Sequence, residues 1–140
     1  MRQVLLLMTV AVFAVSCSKE TLPDDRIIIC PGPTSDTIVY KGIFERSSIA
    51  GVQTADVELK FKNNVFVGSS SKNLFPAIGI GTIETTATTV SFRNQSMWTA
   101  NFDWSLILDG TFDAAVKGDS LKLTKFKGYD WVDTYYLKKQ

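Results

Sequence analysis

The chain contains no histidine and only two cysteines. Without histidine there is no Ser-His-Asp or Cys-His catalytic set, and most zinc sites are ruled out. Charge of one sign is also missing. Fifteen Lys and Arg stand against fourteen Asp and Glu, a net charge of +1. Lys and Arg are spread among acids and form no stripe, so nothing electrostatic points to nucleic acid. No apolar run approaches the about 20 residues that a membrane-spanning helix needs. No stretch after the first residues carries helical periodicity over ten or more positions, and no internal repeat is present.

The first residues are an address. Met1-Arg2 is positive, Val4 to Val15 is a short apolar run, and small residues lead to Cys17. That order is a secretory signal peptide. Ala14-Val15-Ser16-Cys17 resembles a bacterial lipobox, with Ala14 where Leu is usual and the polar Ser18-Lys19-Glu20 following. The resemblance implies that Cys17 is acylated and becomes the mature N-terminus, anchored by more than one chain. Ser18 after the cysteine implies the outer membrane of a bacterial cell envelope, on its periplasmic or exposed face. Residues 1–16 are then the signal peptide, 17–36 a lipidated tether rich in Pro and Asp, and 37–140 the folded domain. Cys30 is left as the only thiol, so no internal disulfide forms in the mature monomer. Ile27-Ile28-Ile29 interrupts the tether and is expected to dock on the domain.

The domain reads as β-structure. Thr37 to Ser47 is rich in β-branched and aromatic residues. Thr54 to Lys62 alternates, with Val57, Leu59 and Phe61 on one face. Asn63-Asn64 suits a two-residue turn, because Asn tolerates positive φ. That turn predicts Phe61 opposite Phe66 and Leu59 opposite Gly68. Strands follow at Val65 to Ser70, Ile78 to Thr85 and Thr89 to Asn94.

Phe102 to Lys125 reads as three further strands. Phe102, Trp104, Leu106 and Leu108 alternate, as do Phe112, Ala114 and Val116, then Leu121 and Leu123. A three-residue loop ending at Gly110 would place Leu106 opposite Phe112 and Trp104 opposite Ala114. A two-residue turn at Gly118-Asp119 would place Val116 opposite Leu121 and Ala114 opposite Leu123. Trp131, Tyr135 and Leu137 share one face of the last strand. The whole predicts an all-β, up-and-down antiparallel meander closed into an eight- or nine-stranded barrel, with a β-sandwich as the alternative.

Several patterns suggest chemistry and fail on context. Ser69-Ser70-Ser71-Lys72 has the S-x-x-K spacing but sits at a strand end without the partner motifs. Gly79 and Gly81 open a dinucleotide-like spacing, yet position 84 is Glu and no helix follows. Asp103, Asp113, Asp130 and Asp133 are carboxylates read as solvated. No cofactor or metal is called for, and an enzyme is not expected.

The aromatics carry the positive signal. Trp98, Trp104 and Trp131, with Tyr135, cluster in the C-terminal half. They read as core, or as the lining of a pocket at a barrel mouth. The small residues Gly79, Gly81 and Ala114 leave space beside them for a ring or a ligand.

The Ala77 to Thr82 strand, the Trp98-Thr99-Ala100-Asn101-Phe102-Asp103-Trp104 segment and the final Tyr136-Leu137-Lys138 resemble small bacterial lipocalin-like, calycin-type lipoproteins. The resemblance covers Val39 to Lys138. Gly42-Ile43-Phe44 stands where those proteins carry G-x-W. It implies a non-enzymatic, lipid-anchored protein that binds a small hydrophobic ligand near Trp98, Trp104, Ala114, Trp131, Tyr135, Gly79 and Gly81. The alternative is a protein-interaction or inhibitor module with a solid core, for which Ile107, Ala115 and Phe126 would supply apolar surface.

Overall fold

The computed structural model describes residues 36–128 and 130–140. The expectations for Cys17, the tether, Cys30 and Ile27-Ile28-Ile29 lie outside them. Eight strands follow one another: β1 (Ile38–Ser48), β2 (Gly51–Lys62), β3 (Val65–Ser70), β4 (Gly79–Thr85), β5 (Thr89–Asn94), β6 (Gly110–Lys117), β7 (Ser120–Lys127) and β8 (Trp131–Lys139). Each pairs antiparallel with the next, and β8 pairs antiparallel with β1 to close the barrel.

Eight, not nine, is what closure of this kind demands. Strand direction alternates along a meander. The first and last strands are therefore antiparallel only when the number is even. The segment expected as the ninth, Phe102 to Asp109, is not a strand. It holds one 3₁₀ turn at Trp104–Leu106, and β5 pairs directly with β6, Val90 opposite Phe112. The expected pairs of Leu106 with Phe112 and Trp104 with Ala114 do not form. Asp103 explains the departure: its carboxylate accepts from the Ser105 N–H at 2.9 Å and caps the 3₁₀ turn. Short polar side chains compete with strand pairing in this way. Gly110 does take a positive φ of 83°, but at the start of β6.

The tight turns follow the expected chemistry. Asn63 has φ 52°, and Phe61 opposes Phe66 and Leu59 opposes Gly68. Gly118 has φ 57°, and Val116 opposes Leu121 and Ala114 opposes Leu123. The loop expected over 48–52 shrinks to Ile49-Ala50. There the Ser48 hydroxyl accepts from the Ala50 N–H and donates to the Gly51 carbonyl.

Most of the large apolar residues point inward, and the charged ones other than Arg46 and Asp133 lie toward the outside. The interior is filled. Ring contacts run from Tyr40 to Phe61, Phe92, Phe112, Tyr135, Phe44 and Phe75, with centroids 4.9 to 6.4 Å apart. Leu59, Phe66, Ile83, Val90, Leu108, Leu121 and Leu123 pack around them, each almost fully buried. An eight-stranded barrel is just wide enough for its own side chains to fill.

The barrel has two unlike ends. At the entry end, where β1 begins, strands are joined by the turns at Asn63-Asn64, Thr86 to Thr88 and Gly118-Asp119. At the loop end lie the long connections 71–78 and 95–109.

Candidate functional site at the loop end

The two long connections close this end by pairing with each other. Ala77 forms a bridge to Ile107. Its N–H donates to the Leu106 carbonyl at 3.1 Å, and its own carbonyl accepts from the Leu108 N–H at 2.9 Å. Ala77, Ile78, Ile107 and Leu108 are buried beneath. Ile107, expected on the outer surface, is thus part of the plug; Ala115 and Phe126 do face outward.

A polar knot fastens the plug to the strands. Register sets Arg46 of β1 opposite Asp133 of β8, both facing inward. The guanidinium donates to both carboxylate oxygens of Asp133 at 2.7 Å. It also donates to the Ser105 hydroxyl at 2.9 Å and the Ser105 carbonyl at 2.8 Å. Asp133, read from sequence as solvated, is only 3% exposed. A bidentate pair with its remaining donors used is the arrangement in which buried charges are tolerated. Lys127 adds a hydrogen bond to the Ser105 carbonyl and lies 3.8 Å from Asp133.

The environment shifts these groups. Burial works against the Arg46 charge, but the hydrogen bond and charge of Asp133 outweigh it and raise its pKa. Burial lowers Lys127, with Asp133 opposing. The Ser105 hydrogen bonds lead in lowering Asp103, aided by the Arg46 charge. Burial raises the Tyr135 hydroxyl well above its ordinary value, with the Asp133 charge adding to it.

Two open clefts flank the 3₁₀ turn. One, of about 310 Å³, is lined by Asn94, Ser96, Trp98, Trp104, Ile107 and Asp109. Trp98 is stacked on Phe102 with centroids 5.7 Å apart, and its indole N–H donates to the Asn94 side-chain carbonyl at 3.2 Å. Trp104 is 59% exposed. The other cleft, of about 290 Å³, includes Arg46, Gln53, Phe75, Asp103, Leu106 and Trp131. Trp131 is 41% exposed, with the Arg46 guanidinium 5.3 Å above its ring. Both sit at the small end of ligand-pocket volumes.

The seven residues expected around a ligand therefore divide. Trp98, Trp104 and Gly79 come together at one flank, and Trp131 stands at the other. Tyr135 lies in the core between Phe44 and Phe112. Ala114 is half-buried against the core and receives Leu123, not the Trp104 ring. Gly79 has φ 64°, and a Cβ there would strike the Ser96 hydroxyl; a Cβ on Gly81 would strike the Arg93 backbone carbonyl and sit 2.6 Å from the Phe66 ring. Gly79 makes room for a side chain of this protein, and Gly81 for the neighbouring strand's backbone and a ring.

Sequence reasoning missed the Arg46, Ser105 and Asp133 knot. Its signal was there in parity. Arg46 shares a face with Tyr40 and Phe44, and Asp133 shares one with Tyr135 and Leu137. One base and one acid on two otherwise apolar faces call for each other.

Arg46 and Asp133 are fully engaged, so a ligand at this end meets Trp104, Trp131, Gln53, Asp103 and Asp109 instead. Such a surface stacks and accepts hydrogen bonds. Among the described residues no group of three Cys, Asp or Glu is placed to hold a metal ion. Comparison with protein-family models, with curated proteins and with solved structures gave no match.

Proposed function

We propose that the chain is a non-enzymatic, lipid-anchored protein of the bacterial cell envelope that works as an interaction module through the outside of its loop end. One observation carries this reading. The interior is packed with touching rings and its far mouth is plugged, while two tryptophans stand exposed beside the plug. Exposed Trp is costly in water and is the residue type most often found at the energetic centre of interfaces. The signal peptide and the lipobox at Cys17 support the address.

A second reading keeps the ligand small and hydrophobic but seats it outside, between Trp98 and Trp104. The two indoles that line that cleft support it.

The test is purification of the full chain from its own cells, followed by native mass spectrometry. The interaction reading expects a protein partner that co-purifies and is lost at least tenfold with Trp104→Ala or Trp131→Ala, at unchanged circular dichroism. A small molecule bound one-to-one and lost with Trp98→Ala or Trp104→Ala selects the second reading. A small molecule that survives those changes and is displaced by Ala114→Leu would return the ligand to the interior and overturn both.

A further inference from the structure

The outer wall across β1, β8, β7 and β6 carries a groove of about 470 Å³ that none of the loop-end chemistry involves. Cross-strand register builds it in two rows. In one, Ile43 opposes Tyr136, Tyr136 opposes Lys122, and Lys122 opposes Ala115. In the next, Lys41 opposes Lys138, Lys138 opposes Ser120, and Ser120 opposes Lys117. The floor is apolar, with Ile43 and Tyr136 each 45% exposed. Four lysines surround it, and no acid lines it.

These charges are poorly matched within the protein. Among the described residues no carboxylate reaches Lys117, Lys122 or Lys138. Lys41 shares Glu58 with Lys60, both at 2.9 Å. Lys122 rests 5.4 Å over the Tyr136 ring, which leaves its ammonium donors free. Like charges directly opposed on neighbouring strands, as at Lys41 and Lys138, work against the fold. An external anion relieves that repulsion.

We infer that this wall is a seat for the anionic face of a membrane. Lipid phosphates meet the four lysines, and Ile43 and Tyr136 settle at headgroup level, where amphipathic rings are favoured. The inference rests on the anchored reading proposed above. Two facts choose a membrane over a free anion. The groove spreads across four strands instead of closing around one phosphate. It also borders the entry end, where the chain reaches the barrel at Ile38, close to Lys41. Residues 17–36 connect the anchor proposed at Cys17 to the barrel, and 20 residues reach at most about 70 Å. An anchor at Cys17 would hold this wall near the bilayer at high effective concentration. The barrel then lies on its basic side with the loop end free.

The test uses the acylated full chain, purified from its own membranes and reconstituted in vesicles of phosphatidylcholine alone or with one-third phosphatidylglycerol. Lysines are acetylated briefly and read by mass spectrometry. Lys41, Lys117, Lys122 and Lys138 are expected to react about fivefold or more slowly on the anionic vesicles, the protection disappearing in high salt. Lys72 at the loop end is expected to react equally on both. Equal reaction of the four lysines on the two vesicle types overturns the inference, as does uniform slowing of every lysine. Protection produced equally by inorganic phosphate without lipid reassigns the groove to a free anion. The anchored reading fails separately: a chain that floats with neither vesicle refutes both ideas. A chain that floats only with the anionic ones, with the four lysines protected, refutes the anchor and keeps the wall.

Discussion

The two ends of this barrel are closed by different physics. At the entry end, each closure is local: the Asn63-Asn64 and Gly118-Asp119 turns use a positive φ, and the Thr86 to Thr88 turn is held by the Thr86 hydroxyl accepting from the Thr88 and Thr89 N–H groups. At the loop end, apart from the short Ile49-Ala50 turn between β1 and β2, closure is long-range. Arg46, Ser105 and Asp133 come from three distant parts of the chain, and the plug they hold is made of two connections that touch only after the barrel has formed. The entry end is thus set by turn chemistry and the loop end by tertiary structure. All three tryptophans belong to the second, so tryptophan emission reports the loop end alone.

The largest effect is expected where the loop end is fastened. Asp133→Ala leaves the buried Arg46 guanidinium facing Ser105 with only the half-exposed Asp103, 3.6 Å away, as counter-charge. Removal of one partner from a buried pair costs about 3–5 kcal/mol. Urea denaturation should show that loss. Native-state hydrogen exchange should show 71–78 and 95–109 opening first while β6 and β7 beside Gly118 stay protected. Arg46→Met combined with Asp133→Leu should recover part of the stability, because the guanidinium is no longer stranded while Lys127 still loses the Asp133 charge. If exchange rises equally at both ends, the two closures are not separable units and the comparison fails.

A matched pair of glycines sharpens it. Gly79 and Gly118 have nearly the same backbone, φ 64° and 57°. At Gly118 nothing lies within 4 Å of a built Cβ. Gly118→Ala therefore costs only the left-handed strain, about 1–2 kcal/mol. At Gly79 the same methyl meets the Ser96 hydroxyl and the edge of Trp98. Gly79→Ala should cost about 2–4 kcal/mol, the strain plus displacement of packed groups. It should also shift tryptophan emission, which Gly118→Ala should leave alone. Equal costs in thermal melts would mean that the Trp98 platform yields freely.

The same division explains what the sequence disclosed. Period-two alternation and turn residues located β2 to β5, β7 and the register across both tight turns, because those rest on neighbours in the chain. The alternation of Phe102, Trp104, Leu106 and Leu108 misled, since it is satisfied by two different environments. Leu108 is buried in the plug, and Trp104 is exposed on the 3₁₀ turn. The parity of a closed meander and the capping habit of Asp103 both spoke against a strand there. The aromatic signal was sound in type and mixed in place. Tyr135 is core, and Trp104 and Trp131 are rim. Alternation assigns a residue to a face, but where a strand runs out into a rim loop, that face no longer says whether the residue is covered.

The smallest expected effect is a titration confined to the loop end. Asp103 caps the 3₁₀ turn by accepting from Ser105, and that bonding, with the Arg46 charge behind it, holds its pKa below the ordinary 3.8. A carboxylate with a folded value below its unfolded one lends stability that is present above the unfolded value. That stability is lost as pH falls through the folded one. Acid below about pH 4 should therefore loosen the cap before it melts the barrel. Amide shifts followed by NMR should show Ser105 titrating with a midpoint below 3.8, and Asp103→Asn should abolish that transition while keeping the turn, since Asn caps nearly as well. The amides flanking Asn63-Asn64 and Gly118-Asp119 should not follow it. A Ser105 midpoint at or above 3.8 would mean that the cap is open in solution, and the loop end would then be fastened by Arg46 and Asp133 alone.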